Sequence, residues 1–335
     1  MIRNDPAPES TRKSLQRSPL LRALAALAVV FLLGIVFNAD GAFFKWNTHR
    51  DMLRHISVFG ILACGMTLVI ITAGIDLSVG SLLGLTAVLF SLLTLQKAWP
   101  AWLALCACFA AGLLLGMISG GLIGKFGVQP FIATLAMMVF ARGMAKWISG
   151  GQKISTAVLQ PDGTYRYTEV PPVFSFLNSR ILHENIALVT LIFLACALVC
   201  GIILARLRWG RYIYAVGGNE EAARLSGIPV LRTKLLAYGL SGLFCAVAGV
   251  CQAAQELQGD PEAGMTYELT AIAIVVIGGT NLMGGRGSIG LTVVGAMTIG
   301  YLEKILSINA VGEATRLMLT GLIIVGAVLF QRSRR

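Results

Sequence analysis

The chain has 335 residues, of which 56% are hydrophobic and only 13% are charged. This composition is far from that of soluble domains and predicts a membrane protein whose helices face lipid or one another. The net charge of +11 comes from Lys and Arg residues spread over short loops and tails. It therefore indicates membrane orientation and contact with anionic headgroups, and it argues against nucleic-acid binding.

Apolar stretches of membrane-spanning length fill the chain, on the criterion of about 20 mostly apolar residues per crossing. The first stretch follows a basic tail and is longer than a usual signal-peptide core, so we expect an uncleaved span with its N-terminus inside. The sequence predicts an all-α fold of about ten transmembrane helices, at about Leu20–Phe37, Ile56–Thr72, Leu77–Leu95, Trp102–Ile123, Phe131–Ile148, Ile186–Ala205, Leu235–Ala254, Leu269–Leu282, Ile289–Leu306 and Ala314–Phe330.

One transmembrane domain is expected over residues 20–331, between cytoplasmic tails at residues 1–19 and 332–335. In this topology the basic stretch 206–234 lies in the cytoplasm. The positive-inside rule is not cleanly obeyed, because Lys45, Arg50, Arg54, Lys146 and Lys153 would lie outside, but the first helix and the basic stretch outweigh them. The polar stretch 149–185 lies on the periplasmic side. It is either a docking surface or a plain long connection.

The sequence predicts no catalytic residues and no metal site. The three histidines lie singly near span ends, and the seven cysteines all lie inside apolar stretches. A phosphate-binding loop is also missing, because Gly124 and Lys125 are followed by Phe126 where Ser or Thr is required. We expect a protein that is not an enzyme and has no cofactor or ATP site of its own.

Two glycine-dense segments are predicted to interrupt membrane helices. The first, residues 65–81, contains Asp76, and an acid inside the membrane usually marks a cavity or a partner. Asp76 and Ser78 either cap the helix that begins there or contact a transported substrate. The second interruption, residues 278–288, contains Thr280 and Asn281.

A short capped helix is predicted within the basic stretch. Asn219 can cap it, acidic residues follow in its first turn, Arg224 lies near its end, and Gly227 can adopt the left-handed turn that ends it. Its small alanine face suits insertion into a partner's cleft, although an ordinary connector on the membrane surface would look similar. The segment comprises Asn219, Glu220, Glu221, Ala222, Ala223, Arg224, Leu225, Ser226 and Gly227.

Four sequence blocks resemble the permeases of ABC importers for ribose, arabinose, xylose, galactose and related monosaccharides. They are GMTLVIITAGIDLSVGS, GKFGVQPFIATLAMMVFARGMA, GGNEEAARLSGIPVLRTK and YELTAIAIVVIGGTNLMGGRG, and the resemblance covers about residues 56–330. Ala73 stands where the family commonly has a second glycine, and Thr270 where many members have an acid. Both departures weaken any inference about the particular sugar.

The resemblance implies a multi-pass protein of the bacterial inner membrane with a fold like that of the vitamin B12 importer's permease. Its partners would be a second permease, identical or homologous, an ABC ATPase that binds the ATP, and a periplasmic sugar-binding protein. Residues 219–227 would be the coupling helix that docks on the ATPase, and alternating access would carry the monosaccharide across the lipid bilayer.

Uncharged polar groups suit a pathway for a neutral sugar. The candidates for the pathway are Thr67, Thr72, Asp76, Ser78, Thr134, Thr280 and Asn281, although a Thr or Ser in a membrane helix often bonds only to its own backbone. The competing hypothesis is an ATP-independent facilitator or secondary transporter, in which the basic stretch is a plain linker. No catalytic group in the sequence supports the further hypothesis of a membrane-embedded enzyme.

Overall fold

The structure, a computed structural model, describes residues 19–159, 163–312, 314–319 and 321–322. These residues are mainly helical. The helices are, in chain order, α1 (Pro19–Val36), α2 (Trp46–Ile71), α3 (Val79–Ser91), α4 (Ala101–Phe126), α5 (Pro130–Ser149), α6 (Pro172–Leu177), α7 (Leu188–Arg206), α8 (Arg208–Gly218), α9 (Glu220–Leu225), α10 (Val230–Glu256), α11 (Tyr267–Ile277) and α12 (Ile289–Ile308).

Seven of the helices in this described part are long and apolar enough to cross a membrane: α2, α3 with its π-helical extension Leu92–Gln96, α4, α5, α7, α10 and α12. Helices α1 and α11 are apolar but shorter. Of the tenth predicted span, residues 314–319 and 321–322 are helical, and the remainder lies outside the described residues. A polytopic helical membrane protein is confirmed, whereas the number of about ten spans stays a prediction.

Helices α4 and α10 pack unusually closely because glycines face each other across their contact. A Cβ atom placed on Gly242 would overlap the carbonyl oxygen of Gly112, and one on Gly116 would overlap the carbonyl oxygen of Tyr238. In membranes, where lipid removes the hydrophobic drive between helices, such small-residue contacts let backbones approach and gain dispersion energy. The α4–α10 pair therefore forms a rigid part of the framework.

Helix α2 is the central helix of the chain, since nearly every residue from Ile56 to Ile71 is buried. Hydroxyl pairs join it to two neighbours. Ser57 donates to Thr190 of α7 at 3.0 Å, and the hydroxyl oxygens of Thr67 and Thr292 of α12 lie 2.8 Å apart. Ser57, Thr67 and Thr292 also bond to carbonyls of their own helices, so each pair adds a contact between helices to hydroxyls that are already satisfied.

The two predicted interruptions are present, and they meet. Helix α2 ends at Ile71 and α3 begins at Val79, while α11 ends at Ile277 and α12 begins at Ile289. The predicted span over 269–282 is therefore wrong at its end, because the chain leaves the helix before Gly278. The N–H of Gly285 donates to the carbonyl of Ile71 at 2.9 Å, which joins the two breaks directly.

The described residues of the predicted periplasmic stretch, with those just after it, add short strands to the expected all-α fold. Strands β1 (Ala157–Leu159) and β2 (Tyr165–Tyr167) form one antiparallel hairpin, and β3 (Arg180–Ile181) and β4 (Ile186–Ala187) form another. The stretch is tied to the start of α2, where Arg180 pairs with Asp51 at 2.7 Å and Arg54 donates to Asn178 at 2.5 Å. Helix α6 anchors it further through the fully buried ring of Phe174.

Candidate functional site

The N-terminal cap of α9 has the predicted geometry. The side-chain oxygen of Asn219 accepts a hydrogen bond from the N–H of Ala222 at 2.9 Å, with the Asn219 backbone extended. Glu220 and Glu221 follow in the first turn, where negative charge is favoured by the helix dipole. Arg224 pairs back to Glu220 at 3.3 Å, one turn earlier.

The C-terminal end of α9 is a Schellman motif. The N–H of Ile228 donates to the carbonyl of Ala223, and the N–H of Gly227 donates to that of Arg224, both at 3.0 Å. Gly227 has φ of +77°, a conformation that residues with a Cβ rarely adopt. The predicted short helix with its two caps is therefore confirmed as local structure.

The orientation of α9 differs from the expected alanine knob. Ala223 faces inward and packs with Val216 and Val230, so it anchors the helix to the chain. The most prominent outward side chain is Leu225, which is 81% exposed. An isolated leucine at the end of a charged helix is a suitable apolar anchor for a partner's pocket.

A second exposed apolar side chain lies on the same side of the protein. Phe126, the last residue of α4, is 68% exposed. It lines, together with Lys125, Glu220 and Arg224, a cleft of about 490 Å³ between α4 and α9. The cleft and Leu225 together give this side of the protein charged side chains beside exposed apolar ones.

Helix α9 is locked to α10 by an ion pair. The ammonium group of Lys234 lies 2.6 Å from a carboxylate oxygen of Glu220, and the Lys234 side chain is only 9% exposed. The Glu220 side chain is 39% exposed, so water screens the pair in part. The pair connects the first turn of α9 to the first part of α10.

Helix α8 links α9 to the two helix breaks. The backbone of Gly217 lies so close to the carbonyl of Ile71 and the N–H of Gly285 that no Cβ atom fits. In addition, the hydroxyl of Tyr214 donates to the carbonyl of Gly287 at 2.8 Å. The last turn of α8 thus contacts both places where membrane helices are interrupted.

The predicted pathway residues lie inside the chain. Thr67, Thr72, Ser78, Thr134 and Thr280 are buried, and Asn281 is half-buried. Thr67 donates to the carbonyl of Ala63, Thr72 to that of Val69 and Thr134 to that of Pro130, all within their own helices or helix ends. Asn281 bonds within its own turn, to Gly284 and Met283. These contacts fit the backbone-bonded alternative, and a role in the pathway stays a prediction.

Asp76 is buried in a network of its own. Its carboxylate accepts the N–H of Ser78 at 3.0 Å, the hydroxyl of Ser78 at 2.5 Å and the hydroxyl of Ser241 at 2.8 Å. Ser78 is the N-cap residue of α3, yet its side chain makes no capping bond to that helix. The Asp76 carboxylate instead fixes the start of α3 to α10, which supports the structural alternative for this acid.

Sequence reasoning missed an acidic residue at the start of α11. Glu268 is only partly buried, and Arg142 of α5 contributes to the electrostatic potential at its carboxylate. The sequence does show an acidic residue at the start of an apolar segment. Its proximity to Arg142 could not be predicted, because only the folded chain brings α5 and α11 together. Among the described residues, no cluster of His, Cys, Asp or Glu could hold a metal ion.

These features define a polytopic helical membrane protein with no catalytic constellation among its described residues. The chain matches the model of the family described as branched-chain amino acid transport system / permease component over residues 50–328. It belongs to this family. No solved structure gave a significant match.

Curated relatives are similar over nearly their whole length. The ribose import permease of Escherichia coli is 37% identical over 330 residues, which cover 97% of this chain and 98% of the relative. The fructose import permease of Bifidobacterium longum is 33% identical, covering 95% and 89%. The L-arabinose transport system permease of Escherichia coli is 31% identical, covering 93% and 90%. The resemblance to monosaccharide ABC importer permeases is confirmed, and the chain is a multi-pass inner-membrane transport subunit, not an enzyme.

Proposed function

We propose that this permease translocates a monosaccharide, delivered by a periplasmic binding protein, by alternating access that a separate ATPase drives. The relatives named for ribose, fructose and L-arabinose support a monosaccharide as cargo. In this proposal residues 206–234 face the cytoplasm and residues 149–185 face the periplasm.

The observation that carries the proposal is the rigid attachment of an exposed helix to the membrane framework. Helix α9 presents Leu225 outward, while Lys234 holds its first turn to α10 and α8 contacts both helix breaks. A plain linker would need neither a partly buried ion pair nor close backbone contact with interrupted helices. We therefore assign residues 219–227 as the coupling helix that docks on the ATPase.

The assembly we propose contains two permease subunits, identical or homologous, with the sugar pathway between them. Each subunit would contribute ten membrane helices in a fold like that of the vitamin B12 importer's permease. The count rests on the seven spans, the shorter α1 and α11, and the helical residues after 313. Alternating access would follow when ATP binding closes the two ATPases and moves both α9 helices.

An ATP-independent facilitator is the alternative. The specific observation against it is the Schellman-capped, ion-paired α9 with its exposed leucine, since autonomous transport gives no reason for such a protruding element. The similarity of the relatives over nearly the whole chain also supports the importer.

The decisive experiment is uptake of labelled ribose, fructose and arabinose into proteoliposomes, with the chain alone or with its ATPase and binding protein. We expect uptake only with both partners and internal ATP. Equally fast uptake by the chain alone would establish the facilitator and reduce α9 to a linker.

Two substitutions test the coupling helix itself. Glu221→Lys opposes the helix dipole, and Gly227→Val forces a β-branched residue into a left-handed turn. We expect both variants to insert normally while sugar uptake per ATP hydrolysed falls about tenfold or more, a loss of about 1.4 kcal/mol of coupling. Full coupled transport by both variants would contradict the assignment.

A further inference from the structure

Residues 257–266, which we call the re-entrant segment, connect α10 to α11 and run along α3. A Cβ atom on Gly259 would meet the backbone of Ala87 and Val88, whereas Gly264 lies against the backbone of Gly80. Between Gly259 and Gly264 the chain thus passes from beside the ninth and tenth residues of α3 to beside its second residue. The segment therefore descends along α3, and α11 begins beside the first turn of α3.

The start of α11 lies inside the membrane. The ring of Tyr267, the first residue of α11, packs against that of Phe59 with a centroid distance of 4.3 Å. Phe59 belongs to α2, whose first part contains Arg50 and Arg54 and whose apolar part begins at Ile56. Helix α11, with only 11 residues, is therefore a half-helix whose first turn lies about one helical turn inside the apolar part of α2.

The re-entrant segment is held in place by α5 and the loop that follows it. The guanidinium of Arg142 donates to the carbonyls of Pro261 at 2.5 Å and Ala263 at 2.8 Å. One turn later, Lys146 pairs with Glu262 at 3.0 Å. These contacts satisfy backbone carbonyls that would otherwise lack partners at membrane depth, as irregular backbone there requires.

Glu268 lies in the first turn of this half-helix. Its carboxylate is directed at the start of α3, where a Cβ on Gly80 would lie 2.8 Å from its Oε2 atom. Arg142 lies close enough to Glu268 to interact with it electrostatically, but its guanidinium group donates hydrogen bonds to the carbonyls of Pro261 and Ala263. Within the described residues, no side chain forms an ion pair or a side-chain hydrogen bond with this carboxylate.

A partly exposed carboxylate at this depth is incompatible with contact to lipid tails. Acidic residues within membranes face a protein partner or a water-filled cavity, because burial in hydrocarbon is costly. Thr266 is exposed and Thr270 is half-buried, whereas Met265 and Leu269 are exposed apolar side chains, so Glu268 lies on a surface of mixed polar and apolar groups. The positive ends of α3 and α11 and the nearby Arg142 stabilise negative charge at that surface.

We propose that Glu268 lines the sugar pathway and accepts hydrogen bonds from hydroxyl groups of the passing sugar. Ionised carboxylates are pure acceptors, and their two oxygens can bind two neighbouring hydroxyls at once. Arg142 is a positioning residue, since it fixes the segment that carries Glu268. This inference rests on the proposed function and names the residue at which the pathway discriminates among sugars.

The test compares Glu268→Gln with Glu262→Gln in proteoliposomes that contain the ATPase and the sugar-loaded binding protein. Glu262 is a matched control, because it lies in the same segment but is exposed and already paired. We measure uptake of ribose, fructose and arabinose, together with monodeoxy analogues of the best-transported sugar. Stimulated ATP hydrolysis is measured in parallel.

We expect Glu268→Gln to lower uptake of the parent sugar about tenfold, on the strength of hydrogen bonds to charged groups. ATP hydrolysis should stay within about twofold of the wild type, because α9 is intact. At least one deoxy analogue should be transported equally by the wild type and by Glu268→Gln, since it lacks the hydroxyl from which Glu268 accepts a hydrogen bond. The Glu262→Gln control should resemble the wild type.

The outcomes separate the two proposals. If the wild-type protein with both partners takes up none of the sugars, the proposed function fails. If the wild type transports and Glu268→Gln transports equally well, the inference about Glu268 alone is overturned. An equal loss for the parent sugar and every deoxy analogue would also overturn it, because that result indicates a structural role.

Discussion

Helix α9 and the start of α11 are both helical turns that carry acidic residues, but they are held in place differently. The ends of α9 are fixed by neighbours in the sequence, from Asn219 at one end to Gly227 at the other. The N-cap residue of α11, Thr266, makes no capping bond and has φ of +67°. Its segment is fixed by Arg142, from 119 and 121 residues away.

This difference separates an element that can move as a unit from one that depends on its surroundings. A locally capped helix keeps its shape when the chain around it shifts. A β-branched residue in the left-handed region is strained, and only surrounding contacts keep it there. We therefore expect α9 to move as a rigid unit. The conformation of the re-entrant segment should instead change when the position of α5 changes.

The largest effect is expected from breaking the framework that both regions share. Gly242→Leu drives a side chain into the backbone of α4 at Gly112, which should cost at least about 1–3 kcal/mol and abolish stable insertion. The measurement is the yield of folded protein in detergent. Gly143→Leu is the matched control, because a Cβ there meets nothing within 4 Å; equal yields for the two variants would contradict the close packing.

A smaller effect is expected from the long-range contact alone. Arg142→Met removes both hydrogen bonds to the re-entrant segment, so its amide hydrogens should exchange faster and sugar uptake should fall about tenfold. Arg142→Lys keeps the charge but can satisfy fewer acceptors at fixed geometry, so it should restore uptake in part. Unchanged exchange in the Met variant would show that the segment is held by other contacts.

A still smaller effect is expected from removing the N-terminal cap of α9. Asn219→Ala removes the side-chain cap of α9, at a cost of about 1 kcal/mol, and should weaken association with the ATPase by about fivefold. Asn219→Asp retains a capping oxygen and serves as the control. Equal binding of the ATPase by the wild type and both variants, measured by titration in nanodiscs, would indicate that the cap does not preorganise the helix.

The smallest effect is expected at the exposed end of the re-entrant segment. Lys153 pairs with Asp260 at 3.0 Å, and this bond raises the pKa of the Lys153 amine. A raised pKa keeps the pair intact below the usual range for lysine and weakens it only above that range. Lys153→Met should change uptake by less than about twofold, by a constant factor between about pH 6 and 8. A pH-dependent difference would point to another titrating partner.

The parts of the molecule that could be predicted from sequence are those with local causes. The caps of α9 and the helix breaks follow from residue types at short spacing, and both are present, as are seven helices of membrane-spanning length among the described residues. The position of Leu225 and the inward turn of Ala223 could not be predicted, because they depend on how α9 packs against Val216 and Val230. The same holds for Arg142 and Glu268, which no sequence spacing connects.

The pathway candidates illustrate a further limit. Thr67 and Thr134 were suitable in chemistry, but a hydroxyl on a membrane helix has a carbonyl of its own helix within reach, and both residues use it. Polarity alone therefore does not distinguish a lining residue from a satisfied buried one. For Glu268, the observation that leads us to propose a lining residue is its partial exposure within the membrane, which only the folded structure reveals.

The ion pair between Lys234 and Glu220 gives α10 the mechanical character of a lever. The helix has 27 residues, so it is about 40 Å long. A tilt of the α4–α10 pair by about 5° around the α9 end of α10 would displace the other end by about 3.5 Å, which lies between the small helix translations and the one-turn steps of known functional transitions. The re-entrant segment begins at that far end. A small displacement of α9 would thus produce a larger displacement at the far end of α10 because of the length of that helix, without any bending of the helix.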